Sequence, residues 1–378
     1  MDFSINSQQK EIVDLVKQIV DREIRPRAID MDRSGKIPDK LFQILVSSGV
    51  TSMAVPAAYG GPGLGVDTLG LLYEELGRGC AGVATVCAAN ALASYPVLIA
   101  GTEEQKKRFF DSVLSGRMAA FALTEPGAGS DAGAVSCRAE KTEGGYRLTG
   151  TKCFITNGPI ADQIVVFANT RKTGGIRGLT VFLADSSMEG FSIGKIEDKM
   201  GIRASATSEL IFDHCFVPEE NRIGREGMGF RIAMETLDHS RAVVGAVSVG
   251  IAQAALEAAV IYAHQRRQFG VKVASFEMVQ QMIADMAMET EAARALVQKA
   301  CWMQEKEDPQ SGVMAAMAKC LASDTAMKVS TTAVQVMGGN GYSKENQAEK
   351  YMRDAKVMQI YEGTNQIQRL VIANGVSY

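Results

Sequence analysis

The chain has 378 residues, 46% of them hydrophobic and 22% charged, with 40 lysines and arginines against 43 aspartates and glutamates. This is the composition of a folded globular protein long enough for two or three domains, not of a disordered chain. It has neither the basic excess that neutralises nucleic-acid phosphates nor a polybasic run for an anionic membrane, so nucleic acid is not an expected partner. The seven cysteines (Cys80, Cys87, Cys137, Cys153, Cys215, Cys301 and Cys320) form no C-x-x-C pair. That pattern suits core or surface thiols in a reducing compartment and argues against structural zinc. The opening MDFSINSQQKEIVDLV turns charged and amphipathic at once, without the basic start and apolar core of a signal peptide, so secretion is not expected.

In chain order, Ile12, Leu15, Val16, Ile19 and Ile24 recur at helical spacing, and a second helical pattern covers Asp39 to Ser48. AVPAAYGGPGLGVD then breaks the periodicity before helical text resumes near Thr68. Gly79 to Thr102 carries no charge for 24 residues, long enough to span a bilayer. Its Ala, Gly, Ser and Thr content, with Asn90 and Pro96, reads instead as a closely packed buried helix. Residues 1–116 form an all-helical domain. From Arg117 the text becomes short β-branched or aromatic runs separated by turns such as Glu143-Gly144-Gly145, giving a β domain over 117–225. Long helical blocks at 228–265, 276–305 and 312–337 then define a third domain, 226–378. Helices, strands and helices without β/α alternation make an α+β multidomain protein, not a doubly wound sheet.

Several stretches carry candidate chemistry. EPGAGSDAG satisfies a loose G-x-G-x-x-A pattern through Gly127, Gly129 and Ala132, but strand-like text follows where a dinucleotide fold needs a helix. The loop is either a plain turn or a backbone nest for a flavin or anion. The three histidines, His214, His239 and His264, have no metal-ligand or triad spacing, and no metal site is expected. In LDHSRAVVGAVSVGIAQAALEAAV, Asp238, Ser240 and Arg241 open a nearly charge-free helix, either as pocket lining or as a helix-terminal acid with a structural ion pair. YAHQRRQFG ends that helix with Arg266 and Arg267, which the macrodipole favours without any ligand. VQVMGGNGYS interrupts helical text with three glycines, predicting a tight backbone passage beside something bulky. In IYEGTNQIQRL, Glu362 reads as a solvated turn acid, a helix N-terminal charge, or a base in a partly apolar pocket.

Together these stretches resemble the acyl-CoA dehydrogenase family over essentially the whole chain, and most nearly its short-chain, butyryl-CoA type. ALTEPGAGSDAGA (Ala122 to Ala134) matches one family signature. QVMGGNGYSKENQAEKYMRD (Gln335 to Asp354) matches the other, with Glu345, Lys350 and Asp354 in place. The resemblance implies a helical N-terminal domain, a middle β-barrel domain and a C-terminal four-helix bundle. It also implies a homotetramer with FAD between the middle and C-terminal domains.

By the same resemblance Phe121, Leu123, Thr124, Gly129, Ser130, Phe154 and Thr156 line the flavin, with Phe154 where many relatives carry tryptophan. Arg266, Gln268, Phe269, Gln335 and Gly339 meet the FAD of an adjacent subunit, and Thr364 and Gln366 add flavin contacts. Glu362 is implied as the base for the α-proton of an acyl-CoA while a hydride leaves the β-carbon, with Ser130, Asp238, Ser240, Arg241, Tyr361 and Gly363 around the substrate. Some relatives carry the base immediately before the match to Arg241, where this chain has Ser240; glutaryl-type relatives carry an arginine at the position aligned with Val83. Ala88, Ala89, Ala91, Leu92, Ser94 and Tyr95 are expected at the acyl-chain end. Electron-transfer flavoprotein is the implied partner, in a bacterial cytoplasm, or in the mitochondrial matrix of a processed eukaryotic chain. The alternatives are an enoyl-CoA reductase, a dehydrogenase of cyclic or carrier-bound thioesters, and a catalytically silent assembly subunit.

Overall fold

A computed structural model describes residues 5–376, so residues 1–4 and 377–378 of the two predicted terminal domains lie outside the described residues. Six helices come first: α1 (Ser7–Ile19), α2 (Ala28–Ser34), α3 (Asp39–Ser47), α4 (Val66–Gly79), α5 (Ala81–Ala100) and α6 (Glu103–Leu114). The first begins before its apolar periodicity because Asn6 and Gln9 form a capping box, each side chain accepting the other's backbone N–H at 2.9 Å. A second capping box, Thr102 with Gln105, starts α6. Gln105 Nε2 also donates to Glu220 O at 2.7 Å, fastening this helix to the β domain.

Eight strands follow: β1 (Met118–Ala122), β2 (Arg138–Thr142), β3 (Gly145–Thr156), β4 (Ala161–Asn169), β5 (Leu179–Asp185), β6 (Phe191–Ile196), β7 (Thr207–Pro218) and β8 (Arg222–Ile223). They form one sheet in the order β6-β7-β3-β2-β4-β5-β8, with β1 parallel to β4. From Ile164 to Ala168, β4 is buried without alternation, because core side chains cover one face and helices the other.

The third region holds α7 (Gly229–Gln265), a small hairpin of β9 (Arg267–Gln268) and β10 (Val271–Lys272), α8 (Glu277–Glu305), α9 (Ser311–Met337), the single turn α10 (Gly339–Tyr342), α11 (Ala348–Met358) and α12 (Asn365–Gly375). Its core is not its own. Leu72, Tyr73 and Leu76 of α4 belong to the same buried cluster as Val243, Val247 and Ile251 of α7. Two glycines permit that approach: a Cβ on Gly77 would lie 2.5 Å from Val247 O, and one on Gly250 would lie 2.1 Å from Glu74 O. The β domain keeps a separate cluster around Tyr146, Phe167, Phe182 and Phe212.

Among the described residues two helices, α5 and α7, are long and apolar enough to cross a membrane, and in each 67% of the apolar window is buried inside the protein. The uncharged text of α5 is therefore a core helix, packed against α7 and β1. All seven cysteines are buried, so none is a surface thiol. The expected tight passage at the glycine triplet holds only in part: an added Cβ at Gly338 or Gly339 would meet open space, and only at Gly341 would it strike Val334 O, at 2.7 Å.

Candidate active site

Where the two cores meet, a cavity of about 350 Å³ opens to the surface, walled by α5, the end of β1 and the loop after it, β3, α7 and the turn between α11 and α12. That turn puts Glu362 into it. Glu362 has φ 52° and Gly363 φ 91°, two consecutive residues in the left-handed region, which a non-glycine residue adopts only when its surroundings hold it there. Gln368 Nε2 donates to both Glu362 O and Gly363 O at 3.1 Å, and Lys319 Nζ donates to Gly363 O at 2.8 Å.

The carboxyl of Glu362 faces the cavity between Tyr361 and Arg241, with Ser240 Oγ donating to its Oε2. Surrounding protein strips away water and pushes its pKa above the ordinary carboxylate value. The Ser240 hydrogen bond and the charges of Lys319 and Arg241 oppose that rise without cancelling it. Asp238, half exposed, pairs with the buried Arg241, whose Nε has no partner among the described residues.

The opposite wall is held by a buried ion pair. Lys152 on β3 is fully buried and donates to Glu125 Oε1 at 2.7 Å and to Leu123 O at 3.1 Å. Glu125 also accepts from Ser136 N, Ser136 Oγ and Cys137 N at 2.6–3.0 Å, which folds the EPGAGSD loop back onto β2. Only a three-residue turn, Ala132–Ala134, follows that loop, so it does not open a dinucleotide-binding helix. The loop exposes backbone: an added Cβ at Gly127 or Gly129 would meet open space.

Of the residues named from the sequence, Phe121, Leu123, Thr124, Gly129, Ser130, Phe154, Thr156, Arg241, Tyr361, Glu362 and Gly363 line this one cavity, and Ser240 touches it through Glu362. Phe154, at φ 55°, is 64% exposed. Thr364 caps α12, accepting from Ile367 N at 3.3 Å, and Gln366 is exposed on that helix's first turn. Arg266, Gln268 and Phe269 lie apart from the cavity at the end of α7, Phe269 being 94% exposed; Gln335 and Gly339 are exposed at the end of α9. Asn340 Nδ2 donating to Tyr262 Oη at 2.7 Å brings those two ends together.

Three expectations change. Asp238 lies well past the helix start at Gly229, which removes the helix-terminal acid reading. Ala88, Ala89 and Leu92 line the cavity, whereas Ala91 and Ser94 are buried among helices and Tyr95 stacks on His239 at 5.3 Å. Val83 belongs to the helical core, and it is Thr85 on the same helix that reaches the cavity. Sequence reasoning also passed over Lys319, Lys152 and Glu125. The signal was there for Lys319, a lone charge in the apolar text AAMAKCLA.

The protein is thus a helix–sheet–helix fold whose sheet and bundle wall a cavity lined by a carboxyl of raised pKa, an exposed aromatic and a glycine-rich loop. Comparison with known proteins specifies the class. Models of the N-terminal, middle and C-terminal domains of acyl-CoA dehydrogenases match residues 6–117, 120–215 and 227–377. The chain is 43% identical to the solved butyryl-CoA dehydrogenase of Megasphaera elsdenii, with a TM-score of 0.96 and 100% of each chain covered. It is 43% identical to cyclohex-1-ene-1-carbonyl-CoA dehydrogenase of Geobacter metallireducens, covering 99% of each chain. It is also 41% identical to acryloyl-CoA reductase (NADH) of Anaerotignum propionicum, covering 100% of this chain and 96% of that one. The chain belongs to the acyl-CoA dehydrogenase family and has its helical, β and helical domains. It is an acyl-CoA dehydrogenase, a flavoprotein oxidoreductase acting on CH–CH bonds.

Proposed function

We propose that the protein converts a short- or medium-chain acyl-CoA into its trans-2-enoyl-CoA with Glu362 as the base, and that it holds FAD in the cavity. The observation that carries this reading is the Glu362 carboxyl, among the described residues the one acid lining the helical side of the cavity, with its pKa raised. A free glutamate, at about 4.3, is too weak a base for a carbon acid near neutrality, and burial makes it stronger. The Glu362 N–H has no acceptor among the described residues and is free for the thioester oxygen, where negative charge develops as the α-proton leaves. Tyr361 and the α5 residues Thr85, Ala88, Ala89 and Leu92 give the acyl chain an apolar, water-poor slot. The α5 residues that line it, Thr85, Ala88, Ala89 and Leu92, bear no charge for a distal carboxylate.

The residues present fit the cofactor: the exposed aromatic side chain of Phe154 lines the cavity, and the glycine loop leaves room for close backbone approach. When bound, FAD supplies the hydride acceptor. Phe121, Leu123, Thr124, Gly129, Ser130, Phe154 and Thr156 would hold it from the sheet side, with Thr364 and Gln366 from α12. Arg266, Gln268, Phe269, Gln335 and Gly339 form an exposed set that we assign to the FAD of a neighbouring subunit in a homotetramer. Electron-transfer flavoprotein is the proposed acceptor of the electrons. The proposed domain limits, 1–116, 117–225 and 226–378, fall in the links after α6 and before α7.

The test is an anaerobic titration of the FAD-loaded protein with butyryl-CoA, following flavin absorbance in the wild type and in Glu362→Gln. Bleaching in the wild type alone supports both the reaction and the base. Bleaching in neither sends the substrate assignment to cyclic or carrier-bound thioesters; bleaching in both removes Glu362 as the base.

A further inference from the structure

Lys319 of α9 is buried to 0% exposure, yet no carboxylate among the described residues lies within ion-pair distance of it. Its ammonium is spent on two neutral acceptors of the catalytic turn, Gly363 O at 2.8 Å and Asn365 Oδ1 at 3.0 Å. Asn365 is in turn locked from behind, donating to Ser323 Oγ at 2.9 Å and Asp324 Oδ1 at 2.8 Å. A buried, unpaired charge is expensive, and a neutral side chain of the same length would fill this space without the cost. The expense falls at one place: the carbonyl that follows Glu362.

A trans peptide points its C=O and N–H in opposite directions. By holding the Gly363 carbonyl toward α9, together with Gln368 on the Glu362 carbonyl, Lys319 turns the next amides of the strained turn away from the helix. The charged and titratable groups around the carboxyl are few. Arg241 and the Ser240 hydroxyl approach from α7, Lys319 from α9, Tyr73 from α4, Tyr95 from α5, and Tyr361 beside it. Asp324, Cys320 and Arg241 are the other groups that act on Lys319, whose own amine burial pushes down to about 8. Arg241 is already bound to Asp238, so Lys319 is the cation near Glu362 with no acid of its own.

We propose that Lys319 is a positioning residue for the base: its ammonium pins the Glu362–Gly363 turn and supplies the unpaired positive charge against which the Glu362 carboxylate is held. This rests on the reading of Glu362 as the base, and the test separates the two. In the FAD-loaded protein, the Glu362 carboxyl is titrated by infrared difference spectroscopy, with Glu362→Gln as the blank, in wild type, Lys319→Met and Lys319→Gln. The Met variant removes charge and donors; the Gln variant removes charge and keeps a donor.

The expected result is a carboxyl midpoint raised by about one pH unit in both variants, the low end of what an opposite charge nearby produces. The ascending limb of kcat should move by the same amount, with KM for butyryl-CoA nearly unchanged. A carboxyl midpoint that stays in place in either folded variant overturns the proposal, as does failure of both variants to fold, which would make Lys319 a structural residue. A midpoint that moves while the kcat limb does not upholds the coupling and removes Glu362 as the base.

Discussion

Two glutamates, Glu125 buried behind the sheet-side wall of the cavity and Glu362 part-buried on its helical side, are treated in opposite ways. Glu125, in the β domain, is met by Lys152 and by the hydroxyl and amide of Ser136 and the amide of Cys137. Burial alone would raise its pKa, but these partners win and hold it below the ordinary carboxylate value. Glu362, in the bundle, has one hydroxyl and no ion-pair partner among the described residues, and burial wins. The lesson is that burial by itself does not decide a carboxyl's chemistry; the number of donors brought to it does. A fully bonded glutamate fastens a loop, while an under-bonded one is left with basicity to use.

The largest expected effect that would break this contrast is on turnover. Glu362→Gln should lower kcat by about 10²–10⁴-fold, the usual contribution of a positioned base, while butyryl-CoA binding changes little; steady-state kinetics and equilibrium binding check it. An equal loss from Glu125→Gln with the fold intact would erase the distinction.

Next comes stability. Lys152→Met should cost about 3–5 kcal/mol, the result of stranding one charge of a buried pair, read from denaturant midpoints. Leu123 and Thr124 line the cavity and are tied to β3 through Lys152 Nζ and through Cys153 N donating to Thr124 O at 2.9 Å, so flavin retention should weaken in the same variant.

The two acids should also bend stability with pH in opposite senses. For Glu125 the folded pKa lies below the unfolded value of about 4.3, so its contribution is complete above that value and is lost as pH falls through the folded pKa. For Glu362 the folded pKa lies above the unfolded one, so stability falls as pH rises from about 4.3 to the folded value. Glu362→Gln should therefore match the wild type near pH 4 and be the more stable protein near pH 8, in parallel urea titrations. A wild type that is more stable than the variant at both values would contradict the assignment.

The smallest effect is expected at Ser240. Ser240→Ala removes the one hydrogen bond that the described residues make to the Glu362 carboxyl and should move the ascending limb of kcat upward by about half a unit, with little change in the fold.

Much of this was legible in the chain. The helices–strands–helices order follows from periodicity; the first long motif names Leu123, Thr124, Gly129 and Ser130 of the cavity wall, and the separate YEGT stretch names the turn at Glu362. Less legible were the residues that act through others. Lys319 and Lys152 lie far along the chain from what they hold, and the partners of these two and of Gln368 and Glu125 are mostly backbone carbonyls and amides, which every residue carries and which leave no mark in the text. Helix phase was likewise hard to read in α5, where nearly every residue is small or apolar: Val83 and Thr85 differ in role only through what packs beside each.

By itself the sequence determined the element types, the apolar faces and the acid in the YEGT turn, because local sterics and patterning act over a few residues. Tertiary structure decided that the two helical regions share one core, that Glu125 is neutralised, and that Glu362 keeps its basicity. Those outcomes depend on which donors and apolar surfaces reach each carboxyl from distant parts of the chain, and desolvation and Coulomb interactions are set by that three-dimensional neighbourhood.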